Sequence, residues 1–238
     1  MRFLTLIFGT VGSGKTAELL RLVSKLEEHN SRCRLIEKRK FTVFKPVIET
    51  RSDQITIISR SGQAFDKVVA VSDINDLVRE LDRHNPDIIV IEECQFFEIG
   101  AGNEPQAFIL LIRKLLESKK QVILCGLIQN CYGGQFEISS SLCPEADEII
   151  NPHTTCHCGQ VASRSQRLQI GYSTPITDPV FIVDDDSSHN LGYSYEPRCN
   201  NCWELPKKPH PNLATFRKII AEKSALEIEL ERISRLKP

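Results

Sequence analysis

The sequence predicts an α/β protein: a mainly parallel sheet with helices on both faces, a small metal-stapled lobe and a C-terminal helix. Three observations predict it. Gly9-Thr10-Val11-Gly12-Ser13-Gly14-Lys15-Thr16 fits the phosphate-binding loop pattern G-x-x-x-x-G-K-(S/T), between a strand-like and a helix-like segment. Apolar runs of strand length then alternate with helical periodicities, which implies parallel strands joined by right-handed crossovers. From about Asn151 the texture changes to close cysteine pairs bracketing polar chain.

Arg2–Phe8 reads as a buried strand, and Ala17–Glu28 as an amphipathic helix with Leu19, Leu20, Val23 and Leu26 at helical spacing. Ser31–Glu37 reads as the second strand, followed by a basic stretch broken by apolar residues and a loop from Lys45 to Asp53. Thr56–Ser59 and Lys67–Val71 are short β-type runs. Asp73 is placed to cap a helix with Leu77, Val78 and Leu81 on its apolar face, and Asn85-Pro86 ends it. Asp87–Glu93 is an apolar strand ending in two acids, Pro105–Ser118 a helix, and Gln121–Leu127 another buried strand. Beyond Asn151, Val180–Val183 is a β-type run followed by the acidic Asp184–Asp186. Pro206, Pro209 and Pro211 make a stiff linker. Leu213–Lys237 reads as a helix with Phe216, Ile219, Leu226, Leu230 and Ile233 spaced by threes and fours, a stripe that suits packing on its own domain or self-association. The division expected is a nucleotide-binding domain over 1–150, a metal lobe over 151–205, and a linker with a terminal helix over 206–238.

The loop's residue types define its chemistry. Glycines such as Gly9, Gly12 and Gly14 let the backbone around Ser13 wrap an anion with N–H groups inward, at a helix N-terminus that favours negative charge. Lys15 can reach the β- and γ-phosphates of ATP, and the Thr16 hydroxyl can ligate Mg²⁺. Ile88-Ile89-Val90-Ile91-Glu92 reads as a Walker B strand whose acid holds Mg²⁺. Glu93, beside it, can take a proton from an acceptor hydroxyl. Both the loop and the acid pair lie at the carboxyl ends of strands, where sites in such sheets form. Arg51 can supply a guanidinium to the transferred phosphate. Cys199-x-x-Cys202 has ordinary structural zinc spacing; Cys156-x-Cys158 is one residue shorter, and His153 or His157 could replace one of its thiols.

Composition bounds the rest. A net charge of −1 over 238 residues gives no electrostatic case for nucleic-acid or membrane binding. No apolar run reaches the ~18 residues of a membrane span, and the first apolar stretch ends in the phosphate loop rather than in a signal-peptide cleavage site. Nine cysteines in a nucleotide-binding protein are expected to stay reduced, in the cytoplasm. No N-K-x-D guanine-reading motif occurs, which disfavours a signalling GTPase.

From about Phe3 to Trp203 the chain resembles the zinc-containing thymidine kinases of the cellular and phage type. Gly9, Gly14, Lys15 and Thr16 match the family's G-P-M-x-(S/A)-G-K-(S/T); Lys45, Pro46 and Arg51 match K-P-x-x-D-x-R; Glu92-Glu93-Cys94-Gln95-Phe96 matches D-E-(A/G)-Q-F with Glu for Asp. Gly126-Leu127 and Phe136 match a segment that opens G-L-D-G and closes on P-F. The cysteine pairs sit where the family's zinc pairs sit, and Tyr195 stands where a base-contacting tyrosine does. The resemblance implies a RecA-like phosphate-loop domain using ATP, Mg²⁺ and Zn²⁺, and a zinc lobe carrying a lasso loop over a nucleoside substrate. It implies Glu93 as the base for the 5′-hydroxyl, and Phe96, Phe136, Arg164, Ser165, Val180, Ile182 and Tyr195 along the nucleoside. It also implies a homo-oligomer, dimer or tetramer.

Departures from the family cluster on the nucleoside side. The lasso pattern C-G-x-x-A-x-(F/Y)-(T/S)-x-R becomes Cys158-Gly159-Gln160-Val161-Ala162-Ser163-Arg164-Ser165-Gln166-Arg167, with arginine for the aromatic. The V-x-I-G-G clamp becomes Val180-Phe181-Ile182-Val183-Asp184, without its glycines, and the aspartate of G-L-D-G is Ile128. A kinase for a modified pyrimidine deoxynucleoside, and a catalytically silent nucleotide sensor, are the alternatives these departures leave open.

Overall fold

The computed structural model describes residues 3–47, 56–99, 104–182 and 190–235. Their elements are β1 (Phe3–Gly9), α1 (Lys15–Arg32), β2 (Phe41–Pro46), β3 (Ile57–Ile58), β4 (Ala64–Phe65), β5 (Val68–Val71), α2 (Ile74–His84) and β6 (Ile88–Ile91), then α3 (Pro105–Glu117), β7 (Gln121–Leu127), α4 (Glu137–Leu142), β8 (Glu148–Ile150), β9 (Arg164–Gln169), β10 (Tyr172–Ser173), β11 (Tyr193–Arg198) and α5 (Pro211–Arg235). The chain forms two compact units, Met1–Ser165 with Pro197–Cys202, and Gln166–Glu196 with Trp203–Pro238.

The first unit is built on a six-stranded sheet in the order β5-β2-β6-β7-β1-β8, every neighbouring pair parallel. Successive strand residues face opposite ways, so each strand feeds two cores. Leu4, Leu6, Phe8, Ile89, Ile91, Val122 and Leu124 join the apolar faces of α2, α3 and α4. Ile7, Ile88, Val90, Ile123 and Cys125 join Leu19, Leu20 and Val23 of α1, together with Ile57 and Phe65 of the β3–β4 hairpin. Helices therefore cover both faces. Asp73 caps α2 by accepting from the Asp76 N–H at 2.8 Å, and Asn85 closes the helix in the left-handed conformation.

The second strand is not where Ser31–Glu37 was expected. Helix α1 runs on to Arg32, and Leu35–Glu37 makes a single 3-10 turn. The strand is β2, registered on β6 from Phe41↔Ile88 to Phe44↔Ile91. A strand between two others must bury both its faces, and Thr42, Val43 and Phe44 do so, whereas Leu35 is 86% exposed.

In the second unit the β-type run at Val180 is not a strand: Val180 to Ile182 lie outside any ladder, and Val183 lies outside the described residues. The sheet there has the order β10-β9-β11. Ile170 and Gly171, both at positive φ, make the two-residue turn from β9 to β10. Arg217 of α5 donates to Gln169 Oε1 at 2.7 Å and to Asp178 Oδ1 at 2.9 Å, and Leu213 is fully buried. Farther along α5, Leu226, Ile228 and Leu230 are exposed. No helix among the described residues is long and apolar enough to cross a membrane.

Candidate active site and metal centre

The phosphate loop leaves β1 at Gly9 and enters α1 at Lys15. Gly9 has no room for a side chain, because a Cβ there would meet Ser13 Oγ at 2.7 Å. Gly12 and Gly14 sit at φ +71° and +89°, where L side chains are strained. Gly14 is also the N-cap of α1 and supplies no side-chain cap, so the first N–H groups of the helix are left for an external anion. Ser13 Oγ is buried without a hydrogen-bond partner, and the buried Lys15 spends its ammonium on the Thr10 carbonyl at 2.7 Å. A charge resting on a neutral carbonyl beside an orphan hydroxyl fits a loop shaped for phosphate oxygens. The loop is braced from outside by Ser165, whose Oγ accepts from the Val11 N–H at 3.0 Å.

The sheet order puts the acid strand β6 one strand away from β1, with β7 between them. Its parallel register brings both carboxyl ends to the same edge. There the Thr16 hydroxyl donates to Glu92 Oε1 at 3.2 Å. Lys45, at the carboxyl end of β2, brings its ammonium to 3.2 Å from Glu92 Oε2, yet that oxygen has no aligned hydrogen bond. Burial, then the charge of Glu93, pushes the Glu92 carboxyl above its ordinary range, against the pull of Lys45 and Thr16. A buried carboxylate with an unsatisfied oxygen beside a threonine hydroxyl is a donor set suited to a hard divalent cation such as Mg²⁺.

Glu93 adopts φ 52°, ψ 44°, a left-handed conformation unusual for a non-glycine residue. Its carboxylate accepts a hydrogen bond from the Gln95 side-chain amide. The other end of that amide is fixed too: Gln95 Oε1 accepts from the Leu127 N–H at 3.1 Å. Gly126 makes room for this clamp, since a Cβ there would fall 2.6 Å from Gln95 Oε1 and 2.8 Å from Cys94 Sγ. Lys45 and Gln95 stand in the motifs quoted above, but nothing in their spacing shows that they grip the two acids.

The nucleoside-side candidates divide between the units. In the first, Phe96 is half-buried in the 3-10 turn Cys94–Glu98, and Phe136 is buried at the start of α4. Arg164 donates to Asn200 Oδ1 at 2.9 Å and Gln129 Oε1 at 3.2 Å. In the second, the Tyr195 hydroxyl donates to the Ile182 carbonyl at 2.7 Å, and Val180 is exposed. Arg51, Asp184 and Asp185 lie outside the described residues.

The sulfurs of Cys156, Cys158, Cys199 and Cys202 all lie within 4.8 Å of one another, with Cys158 and Cys199 3.6 Å apart. Tetrahedral zinc with bonds of ~2.3 Å needs sulfurs about 3.8 Å apart, so the donor set fits the ion. The short Cys156-x-Cys158 spacing is accommodated by a tight turn. The Cys156 N–H donates to the Gln160 carbonyl at 2.8 Å, the Gly159 N–H to the Cys156 carbonyl at 2.9 Å, and Gly159 sits at φ +84°. His157 pairs with Arg198 rather than completing the cluster. Burial raises the Cys156 thiol's pKa, but N–H groups of Cys158 and Cys199 and the neighbouring thiols outweigh it and bring the group to about 6. Burial instead pushes the Cys94 and Cys125 thiols up, as befits inert core residues.

A family model described as thymidine kinase matches residues 2–203. A thymidine kinase of Coprothermobacter proteolyticus is 32% identical over 207 residues, covering 87% of this chain and 92% of that protein. Among solved structures, the replication initiator DnaA bound to AMPPCP and single-stranded DNA aligns at 14% identity over 65% of this chain and 41% of that one, with a TM-score of 0.34. AMPPCP-bound DnaA from Aquifex aeolicus aligns at 14% identity over 64% and 41%, with the same score. This chain spans less than half the length of those DnaA chains, and a likeness of that size carries no argument. The family match, by contrast, takes in the phosphate loop, both acids and all four clustered cysteines: the chain belongs to the thymidine kinase family.

Proposed function

We propose that the protein is a deoxynucleoside kinase that transfers the γ-phosphate of ATP to the 5′-hydroxyl of thymidine or a related pyrimidine deoxynucleoside. The observation that carries this reading is the meeting of Thr16 and Glu92 at the mouth of the phosphate loop, with Glu93 next in the chain. It supports a hydroxyl and an acid suited to Mg²⁺ beside a second carboxylate that, held by Gln95, can take a proton. The family match narrows the acceptor to a nucleoside.

In this reading Lys15 exchanges the Thr10 carbonyl for the β- and γ-phosphates, while Gly9, Gly12, Ser13 and Gly14 present backbone N–H groups. Thr16 and Glu92 would hold Mg²⁺, which neutralises phosphate charge when bound. Glu93 accepts the 5′-hydroxyl proton as that oxygen bonds to the γ-phosphorus, and the bond to the β–γ bridging oxygen breaks to release ADP. Gln95 fixes the direction of the Glu93 carboxylate. Arg51 is proposed as a further cation on the transferred group. On the resemblance alone, Phe96, Phe136, Arg164, Ser165, Val180, Ile182 and Tyr195 are proposed as nucleoside contacts. Zinc is proposed on the four cysteines as a structural ion, and the working form as a cytoplasmic homo-oligomer. A second reading, in which the substrate is a modified pyrimidine deoxynucleoside, draws on the arginine at position 164.

The test is phosphate transfer from ATP to a panel of pyrimidine and purine deoxynucleosides, with Lys15→Ala as the control. Transfer to thymidine or a close analogue, lost by roughly three orders of magnitude in Lys15→Ala, is expected. No transfer to any member of the panel, or near wild-type transfer by Lys15→Ala, overturns the reading.

A further inference from the structure

The β3–β4 hairpin delivers an arginine to the phosphate loop. Ile57 and Phe65 anchor its strands in the core on the α1 face of the sheet. Between them, Ser59 locks the turn. Its N–H donates to the Gln63 carbonyl at 2.8 Å, and its own carbonyl accepts from the Gly62 N–H at 2.9 Å. Its hydroxyl accepts from the Gln63 N–H at 3.1 Å and shares a hydrogen bond with Ser61 Oγ at 2.9 Å. Gly62 completes the reversal at φ +87°. Arg60 therefore stands at the tip of a turn whose backbone is held in place on both sides.

The guanidinium of Arg60 lies against Gly12. A Cβ added at Gly12 would be 3.0 Å from Arg60 Nη1 and 3.8 Å from its Cζ. Gly12 is thus needed twice, once for its φ of +71° and once to leave room for the guanidinium. The Arg60 side chain is exposed, and among the described residues no carboxylate pairs with it. An arginine tethered by its backbone, lying on an anion cradle and paired with no acid among the described residues, has its planar fork of donors available for phosphate oxygens.

We propose that Arg60 is a phosphate-binding residue of this kinase: with Lys15, it holds the polyphosphate of the donor nucleotide on the Gly9–Thr16 loop. The proposal rests on reading that loop as a triphosphate cradle. Negative charge grows toward the leaving diphosphate as the bond to the γ-phosphorus breaks, and a guanidinium fixed over the loop counters it there. Nothing in the sequence separates Arg60 from a solvated turn residue. The assignment comes from its packing on Gly12.

The test compares the wild type with Arg60→Ala and Arg60→Lys, measuring binding of ATP and AMP by calorimetry alongside kcat/KM for ATP. Because Arg60 is exposed, both variants should keep the wild-type melting temperature. Arg60→Ala is expected to weaken ATP binding and lower kcat/KM for ATP by about tenfold or more, with AMP binding unchanged within twofold; Arg60→Lys should recover part of the loss. ATP binding and kcat/KM that are unchanged in Arg60→Ala, or ATP and AMP binding weakened equally, overturn the proposal. A wild type that phosphorylates no nucleoside, yet loses ATP affinity selectively on Arg60→Ala, sinks the kinase reading and leaves Arg60 as a triphosphate contact.

Discussion

The phosphate edge of the sheet and the described residues from Arg164 to Ile182 and around Tyr195 are held in shape by different means. At the phosphate edge, position comes from the backbone: parallel register brings β1 and β6 to one edge, and Gly9, Gly12, Gly14 and Gly126 are required by φ or by close approach. Beyond Ser165 the backbone supplies only the small β10-β9-β11 sheet, and side chains reaching far along the chain add to it. Gln169 donates to the Leu191 carbonyl, Gln166 exchanges hydrogen bonds with Glu204, and Tyr195 holds the Ile182 carbonyl. Phosphoryl transfer demands fixed geometry, and regular elements supply it. Bonds between side chains can be exchanged one at a time, and this is the region in which the chain departs from its family's pattern.

The largest effect expected from testing that contrast is at Glu93. Glu93→Gln keeps the size and the Gln95 contact but cannot take a proton. Steady-state kinetics should show kcat lower by about two to four orders of magnitude, while ATP affinity stays within twofold. A Glu93→Gln enzyme with more than a tenth of the wild-type kcat would move the base elsewhere.

Gln95 comes next, because it ties the base to the sheet. Gln95→Leu removes the donor to Glu93 and the acceptor for Leu127 at similar volume. We expect kcat to fall roughly 10–100-fold with KM for both substrates within about twofold, as for a residue that positions rather than binds. If KM rose and kcat held, Gln95 would belong to the binding surface instead.

Which parts were legible follows the same division. Strand, loop and helix around Gly9–Thr16, the strands ending at Ile91 and Leu127, and the caps of α2 have local signatures and stand where periodicity puts them. β2 is not legible locally, because Ser31–Glu37 and Phe41–Pro46 look alike until one is paired on both sides. β9 has no local signature at all. Its Arg164-Ser165-Gln166-Arg167-Leu168-Gln169 has no apolar alternation, yet Arg167 is fully buried with Nε donating to Thr174 Oγ1 at 3.1 Å. Burial of that kind depends on partners that no window of sequence contains. The same holds for the grip of Lys45 and Gln95 on the acids, which only the sheet order creates.

The cysteine cluster belongs to the backbone-built side, and its removal should weaken the region that depends on it. Cys158 and Cys199 are 41 residues apart, so the ion would close a long loop with little apolar core of its own. Metal analysis should find one zinc per chain, falling below about 0.2 in Cys202→Ser, with a melting temperature lower by several degrees. Wild-type protein prepared without chelator and free of zinc would remove the ion from the structure's account.

The smallest effect is expected at Arg164, where the two principles meet. Its guanidinium already serves Asn200, beside the cysteine knuckle, and Gln129, just past β7. Both of these partners are neutral amides, and a guanidinium at this position carries N–H donors where an aromatic ring has none, so it favours an acceptor over a methyl group. The family's aromatic at this position would do the reverse. Exchanging one for the other should therefore change discrimination at the pyrimidine 5-position by the modest factor that one added or lost polar contact allows. We expect Arg164→Phe to raise the ratio of kcat/KM for thymidine over 5-hydroxymethyl-deoxyuridine by roughly 3–10-fold, with deoxyuridine as the unsubstituted reference. A lower melting temperature with that ratio unchanged would make Arg164 a tether between Asn200 and Gln129 and nothing more. Substrate choice would then have to be read by the segment that holds Tyr195 on Ile182, and Tyr195→Phe would become the variant to measure.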